Sequence, residues 1–530
     1  MRNYIRSILV IVLLLTVGLT GCGGESTKKS SSGGNGNNDV FIFGRGGDSI
    51  SLDPISESDG ESFRVTGQIY ENLVTYAKDD MTIVPGLAES WEVSDDGMTY
   101  TFELKQGVTF HDGADFNAQA VVDNFERWLN GTEEQYPYFG SFGGFKGSPD
   151  LVIDAVKAEG EHTVVFALNR PSSPFLRNLA QSAIAIASPK AIKEDADKLK
   201  EAPVGTGPYQ FVEWKKGDRI TIERYEDYHG EAAKIKQVIF RVIPDNTTRF
   251  NALQNGEIDL MDGLNPTDRE HVEANGDLSL YVRPSMNVGY IGFNVEKAPF
   301  DDVKVRQALN MATNKAEIID SFFAGGAEPA KNPMPPAVEG YNDAIEDYPY
   351  DLDAAKKLLA EAGHADGFEI DLWYMPVARP YMPEGMKVAE ILQAEWQKIG
   401  VTVHLKTVDW ATYAATLRTG EWGAFMIGWT SDNGDPDSFL NVLLGGGNIN
   451  GTNFARYNNP AVNKLLQAGQ SEMDSQKRRE LYEEAQVFIK EDAPWIPLVH
   501  SNPLIAGVKG LKGYTPHPSE GDLFSRLYFE

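Results

Sequence analysis

The sequence predicts an α/β fold, and one stretch, residues 371 to 437 with the start of its first strand, carries the prediction. Apolar, strand-like runs occupy 368 to 375, 401 to 408 and 423 to 429. The two segments between them repeat apolar side chains at helical spacing, which gives a β-α-β-α-β order. Parallel strands joined by helices point the same way, so the residues just after each strand gather at one edge, where open α/β sheets hold ligands. Three residues meet that condition: Arg379 after the first strand, Trp410 after the second and Asp432 after the third. A cation, a flat apolar wall and an anion together suit a zwitterion.

Within the stretch each element has a local reason. Val388, Ile391, Leu392, Trp396 and Ile399 fall on one helical face, and Gly400 ends that helix. Val401, Val403 and Leu405 alternate with His404 and Lys406, so the histidine is read as a solvated side chain. Asp409 is placed to cap the second helix.

Upstream, VFIFG at 40 to 44 reads as an edge or early strand, with Pro54 ending strand geometry. The segment 91 to 113 holds two alternating runs around Asp96 and Gly97, with Tyr100, Phe102 and Leu104 on one face, and reads as a hairpin. GTGPY at 205 to 209 is a turn entering a strand. In 301 to 323, Val305, Ala308, Leu309 and Ala312 form a helical stripe with Asp301 or Asp302 as cap, so Arg306 reads as a surface or packing residue. Helices are also expected over 351 to 363 and 474 to 491.

At 530 residues the chain exceeds one ordinary core, and roughly 150 residues per domain implies two to four units. The net charge of −29 argues against nucleic acid as a partner and fits solubility and standoff from an anionic surface. At the N-terminus Arg2 and Arg6 precede the apolar run 8 to 19 and LTGC at 19 to 22. Twelve apolar residues fall short of the roughly 20 needed to span a bilayer, so residues 1 to 21 read as an export signal. LTGC resembles a lipobox. That resemblance implies cleavage before Cys22 and acylation, including a palmitate-type chain, that holds the protein to a membrane; the alternative is a plain secretory signal with an incidental cysteine. Cys22 is the only cysteine, which leaves no intramolecular disulfide. Residues 22 to 38 follow as the lipidated cysteine and a Gly/Ser/Asn-rich tether.

No HExxH, no GxxxxGK followed by Ser or Thr, and no GxSxG occurs, and the eight histidines lack metal-site spacing. The run DNGDPD at 432 to 437 is a weak Ca²⁺ candidate, because the twelfth position of an EF-hand loop would be Leu443. GGGNING at 445 to 451 reads as a flexible loop.

Four segments carry a resemblance to a known family: GLAESWEVSDDGMTYTFELKQGVTFHDG at 86 to 113, APVGTGPYQF at 202 to 211, FNVEKAPFDDVKVRQALNMATNKAEII at 293 to 319, and LYEEAQVFIKEDAPWIPLVH at 481 to 500. They resemble extracellular solute-binding proteins of family 5, the peptide and nickel class of ABC importer receptors. The resemblance implies a two-lobed periplasmic-binding-protein-like fold (type II, cluster C) with an extra peripheral domain. It assigns one lobe to 39 to 57, 205 to 284 and 502 to 530, the peripheral domain to 58 to 204, and the second lobe to 285 to 501. It implies a receptor without enzymatic activity, cofactor or metal, monomeric, anchored on the extracytoplasmic face of the cell membrane, which hands a solute to a membrane permease.

WYMPVARPY at 373 to 381, VDWATY at 408 to 413 and GWTSDNGDPD at 428 to 437 resemble the dipeptide-binding members in particular. There an arginine in the first motif pairs with the peptide carboxylate and an aspartate in the third with its amino group, which implies Arg379 and Asp432 here. Asp435 and Asp437 stay open as alternatives to Asp432. Arg suits a carboxylate through its two-pronged donor fork, and a buried zwitterion needs a charged partner at each end. An extended chain advances ~3.3 to 3.6 Å per residue, so a fixed separation of the two charges would measure ligand length. Tyr381, Trp410 and Trp429 would line the remaining space, with Ser58 and Gly60 contributing from the opposite lobe. The family's range also leaves glutathione or a metal chelate as the solute.

Overall fold

The computed structural model describes residues 39 to 449 and 451 to 530. The signal at 1 to 21, Cys22 and the tether to residue 38 lie outside the described residues. Among the described residues no helix is long and apolar enough to cross a membrane.

Three sheets organise the chain. The first has seven strands in the order Leu278–Val282, Leu504–Val508, Leu260–Met261, Val40–Arg45, Gln237–Val242, Arg219–Arg224 and Tyr209–Lys215. Val40–Arg45 is central and runs parallel to both neighbours, so of the two expectations, an edge or an early strand, the edge is corrected and the early strand stands. Phe41 and Phe43 explain its position, because both are buried and pack against Phe524 at 5.0 and 5.5 Å. Pro54 lies beyond the strand, in a short helical turn, and leaves the ladder intact.

The second sheet is antiparallel: Ala88–Val93, Thr99–Leu104, Thr163–Leu168, Ile153–Ala158. Its first two strands form the expected hairpin. Gly97 there adopts φ +68°, where a side chain would be strained, and Asp96 accepts a hydrogen bond from Met98 N at 3.0 Å. Tyr100, Phe102 and Leu104 all face its aromatic core.

The third sheet has six strands, ordered Ala327–Pro329, Trp495–Ser501, Asn287–Phe293, Ala424–Thr430, Phe368–Trp373 and Val401–Lys406. The last three are parallel to one another, with Phe368–Trp373 in the middle, as the β-α-β-α-β reading requires. The helix Gly385–Gln397 buries Val388, Leu392 and Trp396 against this sheet, and Gly400 follows at φ +87°. His404 is exposed beside Glu369. Arg306 is a packing residue: it is buried and donates to the carbonyls of Phe300, Asp492 and Ala493. Its helix, Val303–Met311, is capped by Asp302.

The chain passes between the seven- and six-stranded sheets at 283 to 286 and again at 502 to 503, and the two crossings are bonded together. Arg283 N donates to Pro503 O at 3.0 Å, Asn287 Nδ2 to Ser501 O at 3.0 Å, and Ser501 N to Asn287 Oδ1 at 3.0 Å. Arg283 also forms a two-pronged ion pair with Asp522, at 2.8 and 2.7 Å. Burial pushes the Asp522 carboxyl up, but the Arg283 guanidinium outweighs it and holds the group below the ordinary carboxylate value.

Removing one partner leaves the other charged and buried, so Arg283→Ala is expected to destabilise the fold by about 3 to 5 kcal/mol, read by urea unfolding at neutral pH. Because the folded-state value of Asp522 is depressed, its stabilisation is present at neutral pH and lost as pH falls through that value. The stability gap between Arg283→Ala and the parent should therefore narrow in acid.

Candidate functional site

The carboxyl ends of the three parallel strands meet at one edge of the six-stranded sheet, and each is followed by a residue expected from the sequence. After Phe368–Trp373 the chain makes a tight turn, with Arg379 N donating to Met382 O at 3.1 Å and Met382 N to Arg379 O at 2.9 Å. The turn drives Tyr381 inward and leaves Arg379 exposed.

Tyr381 seats on a pair of glycines. Gly289 and Gly428 lie directly opposite each other on neighbouring strands. A Cβ on Gly428 would stand 2.3 Å from Tyr381 Cδ2, and one on Gly289 would stand 2.4 Å from Tyr381 O. The missing side chain at Gly428 admits the ring and the one at Gly289 admits the Tyr381 carbonyl, and burial in this slot pushes the hydroxyl up to about 12.

Trp410 opens the helix Trp410–Thr419, which Asp409 caps through Thr412 N at 3.1 Å. Its ring stacks on Tyr413 at 6.0 Å, and the Tyr413 hydroxyl lies 2.6 Å from Met426 O and 2.9 Å from Trp373 O, on two strands of the sheet. The Arg379 guanidinium carbon sits 5.3 Å from the Trp410 ring centroid, a cation-π distance. The cation and the flat wall are therefore one unit. Trp429 is half-buried, and its Nε1 is buried without a hydrogen-bond partner among the described residues.

Asp432 follows the third strand and meets a residue from far upstream: the Tyr138 hydroxyl donates to Asp432 Oδ2. Tyr138 lies in the short helical turn Pro137–Phe142 and packs edge-to-face on Phe63 at 5.3 Å. Burial pushes the Asp432 carboxyl up to about 6, and the bond from Tyr138 partly offsets that rise.

The other two aspartates of the run have different surroundings. Asp435 is fully buried, takes Arg478 at 2.7 and 3.0 Å, and lies 3.7 Å from Arg177 Nε. Burial raises it, the Arg478 charge outweighs that, and the carboxyl is held low. Asp437 is pushed up to about 7 by burial and by the neighbouring Asp435. Arginine donors thus occupy the carboxylate that a Ca²⁺ loop would need, and Asp435 is satisfied within the protein. Asp432 is the carboxylate of the run that faces a side chain from another sheet's core.

Ser58 and Gly60 lie at the exposed N-terminal end of the helix Gly60–Ile69, which Asp59 caps. A Cβ on Gly60 would stand 3.8 Å from Glu520 Oε2. The side chain that meets Asp432 is Tyr138, and Phe63, one turn into that helix, packs behind Tyr138. Both went unread in the sequence; the aromatic and glycine-rich run YPYFGSFGGF at 136 to 145 is the signal that pointed to Tyr138.

Residues 82 to 451 match the bacterial extracellular solute-binding proteins, family 5 middle region. The chain is 39% identical over 523 residues to Heme-binding protein A of Haemophilus influenzae, covering 94% of this chain and 93% of that protein. It is 40% identical over 484 residues to the Dipeptide-binding protein of Escherichia coli, covering 87% and 89%. Among solved structures, the ABC transporter-associated periplasmic binding protein DppA of Helicobacter pylori, in complex with peptide STSA, superposes with a TM-score of 0.80 at 33% identity, covering 93% of this chain and 98% of that one. The family consists of extracytoplasmic receptors of ABC importers and not of enzymes. With its matched region, its relatives and its sheet architecture in agreement, the chain belongs to the bacterial extracellular solute-binding proteins of family 5.

Proposed function

We propose that this protein is a lipid-anchored receptor that binds short peptides, dipeptides foremost, between two lobes and delivers them to a membrane permease. One lobe is 39 to 57 with 205 to 284 and 502 to 530, the other is 285 to 501, and 58 to 204 forms the peripheral domain. The observation that carries the reading is the placement of Arg379 on Trp410 and of Asp432 beside Tyr138 at one sheet edge, a cation and an anion that no ion pair within the described residues joins to each other. The Escherichia coli and Helicobacter pylori relatives, named for dipeptide binding and complexed with a peptide, support the ligand class.

In this reading Arg379 takes the peptide carboxylate and Asp432 the amino group. Tyr381, Trp410 and Trp429 bound the space for variable side chains through contact area. Tyr138 holds the Asp432 carboxylate until the ligand's ammonium arrives, so the buried charge keeps a partner in both states. Cys22 carries the lipid, and the protein acts as a monomer.

A second reading keeps the receptor role with another small solute, such as glutathione or a metal chelate. The relative named Heme-binding protein A favours it, heme being a metal chelate. Mass spectrometry of solute carried through purification distinguishes a peptide from a chelate.

Calorimetry of the purified chain with dipeptides such as Ala-Ala should show binding, and no heat with any di- or tripeptide would sink the peptide reading. Arg379→Ala and Asp432→Ala should each weaken binding by more than about 2 kcal/mol, because each leaves one end of the zwitterion desolvated and unpaired. Unchanged affinity would move the site elsewhere.

The pH dependence has a defined sign. The ammonium needs an ionised Asp432, whose free-protein value is about 6, so affinity should be level above that pH and fall below it. Tyr138→Phe removes a bond that lowers this value, so the inflection in affinity should move to higher pH.

A further inference from the structure

A cavity of about 620 Å³ adjoins the site just described through Phe63, which packs on Tyr138. Phe63, Arg64 and Gln68 of the helix Gly60–Ile69 form one wall, and residues 513 to 526 contribute another. Neither Arg379, Tyr381, Trp410, Trp429 nor Asp432 lines it. Its volume falls in the ~300 to 1,000 Å³ range of small-molecule pockets.

Its charge is unusual for this chain. Among its carboxylates, Asp522 is bound to Arg283, and Glu71 accepts from Thr206 Oγ1 at 2.8 Å and Tyr228 OH at 3.1 Å and lies 2.8 Å from His229 Nε2. Arg64 is engaged by Asp262 and by Glu520, yet its Nε is buried with no hydrogen-bond partner among the described residues, and its side chain is only 6% exposed. Lys78, Lys105, Lys234 and Arg526 also line the cavity, and none is in an ion pair among the described residues; Lys234 Nζ lies 4.3 Å from the Tyr528 ring centroid. Glu231 is the lining carboxylate left without a partner there. Four uncommitted cations thus face one uncommitted carboxylate in a protein of net charge −29. Charges farther than ~8 Å are largely screened at physiological ionic strength, so the local lining decides which ligands enter. Phe63, Tyr70, Tyr76 and Tyr228 add flat apolar surface.

We propose that this cavity is a second ligand site, for a small organic polyanion carrying two or more carboxylate or phosphate groups. The lysines and Arg526 hold the anionic groups, and the aromatic rings cover the ligand's body. The site uses none of the proposed peptide-binding side chains, so it stands or falls independently of that function.

The test is calorimetry of the purified full chain at constant ionic strength with citrate and, separately, pyrophosphate, the two arms distinguishing carboxylate from phosphate. The expected result is saturable binding of at least one anion, retained in the presence of saturating dipeptide and in Arg379→Ala. It should weaken at least about tenfold in Lys105→Glu, in Arg526→Glu and in the double variant Lys78→Glu with Lys234→Glu. Unchanged melting temperature identifies which of these three variants are intact, and the intact ones decide. Absence of binding by both anions, affinity unchanged in the intact variants, or displacement by dipeptide would each overturn the proposal.

Discussion

The paired crossing between the two large sheets is the constraint on which the rest of the molecule depends. Asn287 and Ser501 stand more than two hundred residues apart, yet each supplies backbone or side-chain atoms to the other, and His500 adds a contact of 2.8 Å from Nδ1 to Asn287 O. Burial drives the His500 ring down to about 4, so it stays neutral across the physiological range and the clasp carries no titrating charge there. The chain enters the six-stranded sheet, whose edge bears Arg379 and Asp432, and returns to the seven-stranded sheet through these two short passages.

The run DNGDPD shows how environment separates identical side chains. Asp435 lies between Arg478 and Arg177 and is held ionised; Asp432, three residues earlier, has one hydroxyl donor and a raised value. The first anchors the loop to the long helix Ser475–Asp492, and the second is thereby presented on a rigid support.

Much of this edge was legible because it depends on periods and chain direction. Apolar alternation marked the strands, helical spacing marked Val388, Leu392 and Trp396, and parallel strands necessarily end on one side. What escaped depends on pairing. Val40–Arg45 is central because two strands from distant segments flank it, which its own alternation cannot reveal. The Gly289 and Gly428 slot exists only in the observed register. Arg478 neutralises Asp435 from 43 residues away. The contact to Asp432 comes from Tyr138, nearly three hundred residues before it, with Phe63 behind.

The glycine slot has a mechanical consequence. By seating Tyr381 on the strands that lead to Asp432, it ties the turn bearing Arg379 to the same sheet as the carboxylate. Both charges ride on one rigid body. The turn cannot slide along the strands without first emptying the slot, so one tyrosine resting on two glycines holds the distance between cation and anion.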